Sequence, residues 1–123
     1  MAFHNELGKR GEEEAMNALL LKGYIIRETY WRCGKLEVDI IAEKNRRIIM
    51  VEVKTRSENV ADLKEVITKK KMTNLIQAGK AYIEANRLPF ELQFDIILQI
   101  GNPDNFKTEH IEAAFRPRLR TYR

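Results

Sequence analysis

The stretch LEVDIIAEKNRRIIMVEVK, residues 36–54, predicts two neighbouring strands joined by a polar turn. Residues 36–43 alternate between apolar and other side chains, so the first strand should carry on one face Leu36, Val38, Ile40 and Ala42. Residues 44–47 are polar and form the turn. The run 48–54 is so apolar that we expect the second strand to be buried on both faces.

Glu52 and Lys54 interrupt this second strand near its end, and they share one face of it. A turn centred on residues 45–46 pairs residues whose numbers sum to 91, so Asp39 lies opposite Glu52. Their Cβ atoms are then about 5 Å apart, and two carboxylates that close repel each other unless one is protonated or a cation lies between them. Glu37 is on the same face as Asp39 and could contribute. The alternative is a strand end that reaches solvent with an ordinary ion pair.

Glu12 is a third acid in an unexpected position, within a helix predicted over residues 5–22. At about 100° per residue it falls in the middle of the apolar stripe formed by Ala15, Met16, Leu19 and Leu20. A carboxylate on a core-facing stripe destabilises the fold unless it is paired or bound to a cation. Gly8 and Gly11 leave room beside it for a close neighbour. The alternative is an acid near the helix start that suits the helix dipole and reaches water.

The remaining segments complete a mixed α/β sheet. Gly23 ends the first helix, and a strand is predicted over residues 24–31. Thr68 is a candidate N-cap for a second long helix that ends before Pro89. A strand over residues 92–100 is stopped by residues 101–103, and a short final strand lies near residues 110–115. The predicted order is αβββαβ with one further strand in reserve.

Composition and charge exclude several classes of protein. A single cysteine excludes a disulfide framework and a Cys-rich zinc site. Without a signal peptide or an apolar run of about 20 residues, we expect a cytoplasmic protein and no membrane partner. The net charge of +4 comes from residues 66–123, with Lys69–Lys71 and an arginine-rich tail as its clusters. Such clusters suit a polyanion, and the alternative is a solvated helix start and terminus.

The acids together predict a site for Mg²⁺ or Mn²⁺, because hard oxygen ligands suit these cations. Asp39, Glu52 and the Val53 carbonyl would hold the cation, which would polarise a phosphate and activate water. Glu12 would hold a second cation or its waters. Lys54 would orient the attacking water or offset negative charge in the transition state.

Asp39 and, thirteen residues later, Glu52-x-Lys54 resemble the signature of the PD-(D/E)XK nuclease superfamily. The pieces GKRGEEEA at 8–15, EVDIIA at 37–42 and VEVKTR at 51–56 are similar to the bacterial YraN-like family. One departure is that two extra residues separate Gly34 from the acid pair.

The YraN-like family is similar to archaeal Holliday-junction resolvases. The resemblance implies a restriction-endonuclease-like αβββαβ core, with a mixed central sheet flanked by helices. It also implies one nuclease-like domain over residues 1–115, followed by a basic tail at 116–123, and a catalytic set of Glu12, Asp39, Glu52 and Lys54.

Three functions remain open. The first is a metal-dependent endonuclease that cleaves DNA, including branched or Holliday-junction DNA, with phosphate contacts from Arg32, Lys35, Arg56, Lys69, Lys70 and Lys71. The second is a non-catalytic nucleic-acid-binding module of the same fold. The third is an interaction domain whose acids form ordinary ion pairs. Symmetric cleavage of a four-way junction would call for a homodimer, although no segment requires one.

Overall fold

A computed structural model describes residues 6–57, 67–102 and 104–116, which form two helices and a five-stranded sheet. The helices are α1 (Glu6–Leu21) and α2 (Lys69–Asn86), and the strands are β1 (Ile25–Cys33), β2 (Leu36–Lys44), β3 (Arg47–Arg56), β4 (Glu91–Asn102) and β5 (Asn105–Phe115). This order confirms the predicted α/β class and the αβββαβ core. Within the described residues, no helix is long and apolar enough to cross a membrane.

The sheet contains its strands in chain order, from β1 at one edge to β5 at the other. Only the β3–β4 pair is parallel among the described strands, and α2 forms the crossover between them. The central strand β3 is buried throughout residues 48–53, as its apolar run predicts.

Each helix covers one face of the sheet with its own hydrophobic cluster. On one face, Ala15 and Leu19 of α1 pack with a set from the strands that includes Ile40, Ala42, Ile49, Val51 and Ile97. On the other, Leu75, Ala78 and Tyr82 of α2 pack with a set that includes Val38, Ile41, Ile48, Met50, Phe94 and Ile96. Each fully buried aliphatic or aromatic side chain contributes about 1.5–3 kcal/mol, so these two layers hold both helices against the sheet.

The predicted N-cap of α2 is confirmed. The Thr68 hydroxyl accepts a hydrogen bond from the Lys71 N–H at 3.1 Å. The helix ends at Asn86, and Arg87 after it adopts a left-handed conformation with φ of 50°. The predicted start of α1 at residue 5 and the tail at residues 117–123 lie outside the described residues.

The β2–β3 register is the one that the turn predicts. The pairs run from Lys44 opposite Arg47 to Ile40 opposite Val51. Asn45 and Arg46 both have positive φ, 51° and 60°, which is typical of a two-residue type I′ turn. The paired ladder ends at Ile40 and Val51, one residue before the two acids.

The predicted alternation in β2 is wrong at one point. Val38 packs on the α2 side of the sheet, whereas Ile40 and Ala42 pack on the α1 side. The phase therefore changes at Asp39, where β2 stops pairing with β3. Opposite this point, Tyr30 of β1 has a positive φ of 52°, which marks the same local irregularity.

The last strand is longer than predicted. β4 runs to Asn102, and β5 begins at Asn105, so residues 101–102 belong to a tight hairpin. The start of β5 at this sheet edge is mostly exposed and polar, so residues 105–109 carry too little apolar periodicity to indicate a strand.

Candidate active site

The four predicted catalytic residues gather at one end of the sheet. β2 is antiparallel to β3, so Asp39 near its start lies beside Glu52 and Lys54 near the end of β3. Glu12 reaches the same region from the first half of α1, where its neighbour Gly11 packs against Thr55. Each residue comes from a rigid helix or strand.

Asp39 occupies the point where β2 and β3 separate. Its Oδ2 accepts a hydrogen bond from the Val53 backbone N–H at 2.9 Å, so a side chain replaces the missing ladder partner. Burial raises the pKa of Asp39, and the Glu12 charge raises it further, against the opposing effect of the Val53 N–H. The carboxyl group is therefore held in place and is costly to ionise without a nearby cation.

Glu52 is the most deeply placed acid of the site, with only 3% of its surface exposed. Its Oε2 lies 3.3 Å from Lys54 Nζ, and its Oε1 lies 3.5 Å from Lys71 Nζ. Oε1 is buried and accepts no hydrogen bond from the part of the chain that the structure describes. Burial and the neighbouring Asp39 raise the pKa of Glu52.

Glu12 is 5% exposed, as its place on the apolar stripe predicts. The Tyr30 hydroxyl donates a hydrogen bond to its Oε1 at 2.7 Å. Burial and this bond raise the pKa of Tyr30 to about 12, so the phenol stays protonated at neutral pH. Tyr30 thus fixes the orientation of the Glu12 carboxylate.

Gly11 allows α1 to approach β3 closely. A Cβ atom at this position would overlap the Thr55 hydroxyl oxygen, so only glycine fits without displacement. From the neighbouring strand, the Gln99 side-chain N–H donates to the Gly11 carbonyl at 3.1 Å. Both contacts act on the turn that carries Glu12, and they confirm the expected close neighbour.

The acids are suited to magnesium as a pair rather than as a closed cage. Within the described residues, no group of three or more His, Cys, Asp or Glu side chains lies close enough together to bind one metal ion. Mg²⁺ is commonly held by one or two carboxylates, with waters and substrate phosphates completing its shell. Asp39 and Glu52 fit this pattern, and the buried Oε1 of Glu52 has a lone pair to offer.

The predicted phosphate contacts belong to the end of β1, the β1–β2 turn, the end of β3 and the start of α2, and all but one are exposed. Those whose side chains are exposed are Arg32, Lys35, Arg56, Lys69 and Lys70. Arg32 pairs with Glu37 at 3.2 Å, and Arg56 donates to a backbone carbonyl. Lys71 is the exception, because it points to Glu52 inside the site.

The sequence does not reveal two residues that support the site, Tyr30 and Gln99. In the sequence, Tyr30 is an ordinary aromatic residue of a strand, and Gln99 belongs to the polar face of its strand. Yet Gln99 is fully buried, because α1 covers that face. The sequence signal for this burial is Ile97. It lies on the same strand face as Gln99, and an apolar residue there implies that a helix covers that face.

A separate buried network surrounds Asp95, at the far end of α1 from Glu12. Asp95 is fully buried and accepts hydrogen bonds from four groups: the His110 ring at 2.7 Å, Gln93 at 2.9 Å, the Ala113 N–H at 3.0 Å and the Tyr24 hydroxyl at 3.1 Å. Lys22 Nζ lies 2.9 Å from His110 Nδ1; an ammonium can only donate, so Nε2 carries the proton given to Asp95.

Burial alone would raise the pKa of Asp95, but the hydrogen bonds from His110, the Ala113 N–H and Gln93 lower it. Asp95 is therefore ionised and saturated with donors. It fastens β5 and the chain after α1 to β4, and it takes no part in the acid site.

Comparison with known proteins gives a consistent result. The model of the uncharacterised protein family UPF0102 matches residues 11–98. A UPF0102 protein of Phocaeicola vulgatus is 44% identical over 118 residues, covering 95% of this chain and 98% of the relative. A UPF0102 protein of Christiangramia forsetii is 45% identical over 116 residues, covering 94% and 98%. One from Bacteroides thetaiotaomicron is 42% identical over 120 residues, covering 97% and 99%.

Proposed function

Given that the chain belongs to the uncharacterised protein family UPF0102, the YraN family that its sequence resembles, we propose that it is a metal-dependent endonuclease that hydrolyses DNA phosphodiesters. The observation that carries this proposal is the meeting of Asp39 and Glu52 where β2 and β3 separate, with Lys54 on the same strand. A buried acid and a partly buried neighbour, both with raised pKa values, destabilise a fold unless a cation compensates them.

The cation in this proposal is Mg²⁺ or Mn²⁺, held by Asp39, Glu52 and the Val53 carbonyl, with Glu12 binding a second cation or its waters. Such a cation polarises a phosphate oxygen and lowers the pKa of a bound water. Tyr30 keeps the Glu12 carboxylate oriented through its 2.7 Å hydrogen bond. The Val53 N–H holds Asp39 in the same way, so both acids are positioned before a substrate arrives.

Lys54 is the residue best suited to orient the attacking water and to stabilise the developing negative charge. Its ammonium is 3.3 Å from the buried Glu52, and its side chain is still partly exposed. Its ammonium can therefore contact a phosphate at the surface while it stays paired with Glu52. A fixed cation of this kind favours a transition state that gains negative charge.

DNA is the proposed substrate because exposed basic side chains lie around the acids. They are Arg32, Lys35, Arg56, Lys69 and Lys70. Contacts of this type bind phosphates and do not read bases, so we expect weak sequence preference and strong salt dependence. The same proposal includes branched or Holliday-junction DNA as a substrate and a homodimer as the assembly. It also includes a cytoplasmic location and a single domain with a basic tail from residue 116.

A second candidate is a nucleic-acid-binding module of the same fold that does not cleave. The observation that favours it is the pair of lysines on Glu52, since Lys54 and Lys71 compensate this acid without any metal. This candidate predicts DNA binding that weakens with salt and is unchanged when Asp39 or Glu52 is substituted.

The deciding experiment compares cleavage of single-stranded, duplex, flapped and four-way-junction DNA in Mg²⁺, Mn²⁺ and EDTA. The proteins are the wild type, Asp39→Asn, Glu52→Gln and the control Glu84→Gln, whose carboxylate is exposed near the end of α2. We expect metal-dependent cleavage by the wild type and the control, and a loss of at least about 100-fold in both site variants. Undiminished cleavage by Asp39→Asn would overturn the nuclease proposal, and binding without cleavage by all four proteins would support the binding module.

A further inference from the structure

We propose that Lys71 is a place-holding cation: it neutralises Glu52 while the site is free of metal, leaves this carboxylate when a divalent cation binds, and then contacts a substrate phosphate. This inference rests on the nuclease function proposed above. It assigns Lys71 a conditional role, in contrast to the permanent surface contacts expected of Lys69 and Lys70.

Glu52 is shared between two lysines. Lys54 comes from the same strand and faces Oε2, whereas Lys71 comes from the first turn of α2 and faces Oε1. Oε1 is the buried atom that accepts no hydrogen bond from the described part of the chain. At 3.5 Å, Lys71 therefore supplies charge to Oε1 without occupying its lone pairs.

Electrostatic repulsion would separate Lys71 from Glu52 when a divalent cation binds. A divalent cation on Oε1 of Glu52 and the Lys71 ammonium beside the same atom would repel each other strongly in a buried setting. The lysine side chain is long and flexible, and that of Lys71 is 33% exposed, so the head group can swing towards solvent. Its backbone stays fixed, because the Lys71 N–H donates to the Thr68 cap.

The position of Lys71 at the start of α2 determines which anion it can contact after it leaves Glu52. The first turn of α2 contains three lysines and no acid, although the positive end of the helix dipole disfavours cations there. The ion pair with Glu52 offsets this cost for Lys71. Once Glu52 is committed to a cation, the phosphate of bound DNA is the anion that can replace it at this helix start.

The test uses Lys71→Met, which keeps most of the side chain and removes the charge, beside the control Lys69→Met on the same turn. The first readout is Mn²⁺ affinity without DNA, measured by electron paramagnetic resonance. We expect Lys71→Met to bind Mn²⁺ about fivefold more tightly than the wild type, because no ammonium has to leave. Lys69→Met should bind Mn²⁺ like the wild type.

The second readout is the salt dependence of binding to a four-way junction, at fixed Ca²⁺ and separately in EDTA. In Ca²⁺ the slope of log K against log salt should be smaller in magnitude by about 0.9 for Lys71→Met. In EDTA, Lys71→Met should have the wild-type slope. A phosphate contact by Lys69 should change the slope equally in both conditions.

The possible outcomes separate this inference from the function on which it rests. An equal slope change in Ca²⁺ and EDTA would make Lys71 a permanent phosphate contact, and no change in either would leave only the ion pair with Glu52. Either result overturns the inference while metal-dependent cleavage by the wild type stands. Absence of Mn²⁺ binding by the wild type would overturn both proposals.

Discussion

Gly11→Ala should force α1 away from β3, because the new methyl group and the Thr55 side chain would occupy the same space. The Cβ position overlaps Oγ1 of Thr55 and lies only 3.1 Å from its Cγ2. Threonine is stiff about its first side-chain torsion, so the contact is not relieved by a simple rotation. Overpacking of this kind costs about 1–3 kcal/mol, and the better helix propensity of alanine returns about 1 kcal/mol.

The net change of about 0–2 kcal/mol is less informative than its dependence on Thr55. Thr55→Ala removes Oγ1 and Cγ2 and leaves only the Thr55 Cβ, at 3.2 Å, so Gly11→Ala in that background should keep most of the favourable propensity of about 1 kcal/mol. We therefore expect a coupling energy of about 1–3 kcal/mol between the two substitutions. Urea unfolding of the wild type, both single variants and the double variant at pH 7 measures it.

The matched control is Asn17→Ala, an exposed substitution on the same helix, which should be additive with Thr55→Ala. Additivity of Gly11→Ala with Thr55→Ala to within about 0.5 kcal/mol would refute the packing argument. Since Glu12 follows Gly11, DNA cleavage should fall in Gly11→Ala and recover in the double variant if Glu12 acts as proposed.

Two further predictions concern hydrogen bonds of buried acids. Asp95→Asn should destabilise the fold by about 1.5–3 kcal/mol at pH 7, since bonds to an ionised group are lost. The folded-state pKa of Asp95 is lowered, so its stabilisation exists above the unfolded value of about 3.9 and disappears as the pH falls through the folded value. The urea midpoints of wild type and variant should therefore converge as the pH falls from the unfolded value through the folded value, and a constant gap would contradict this account. Tyr30→Phe should cost about 1–2 kcal/mol in urea unfolding and remove a tyrosine that titrates near pH 12 by ultraviolet absorbance. Loss of a tyrosine that titrates at the ordinary value of about 10 would contradict the Tyr30–Glu12 bond.

The parts of the fold that sequence predicts are those set by local chemistry. The Asn45–Arg46 turn fixes the β2–β3 register, and the apolar run at 48–53 fixes β3 as the central strand. Glu12 was identifiable because a carboxylate on an apolar helix stripe is costly and therefore informative. These signals depend on neighbours in the chain, and the structure agrees with each of them.

The parts that sequence misses depend on contacts between distant segments. The pairing of Lys71 with Glu52 needs the position of α2 over the sheet, which no local pattern specifies. The change of phase at Asp39 likewise coincides with its side-chain bond to Val53, a residue of another strand. The start of β5 was missed because an exposed edge strand has little apolar periodicity.

The bond between Asp39 and the Val53 amide makes the backbone sensitive to the charge of the site. Where two strands would normally form backbone hydrogen bonds between amide and carbonyl groups, one amide instead donates to an ionisable carboxyl group. Its exchange with solvent and its magnetic resonance therefore follow whatever neutralises Asp39, whether a proton or a cation. One backbone amide thus reports the protonation of Asp39 and, under the proposed function, the binding of a cation beside it, independently of any substrate.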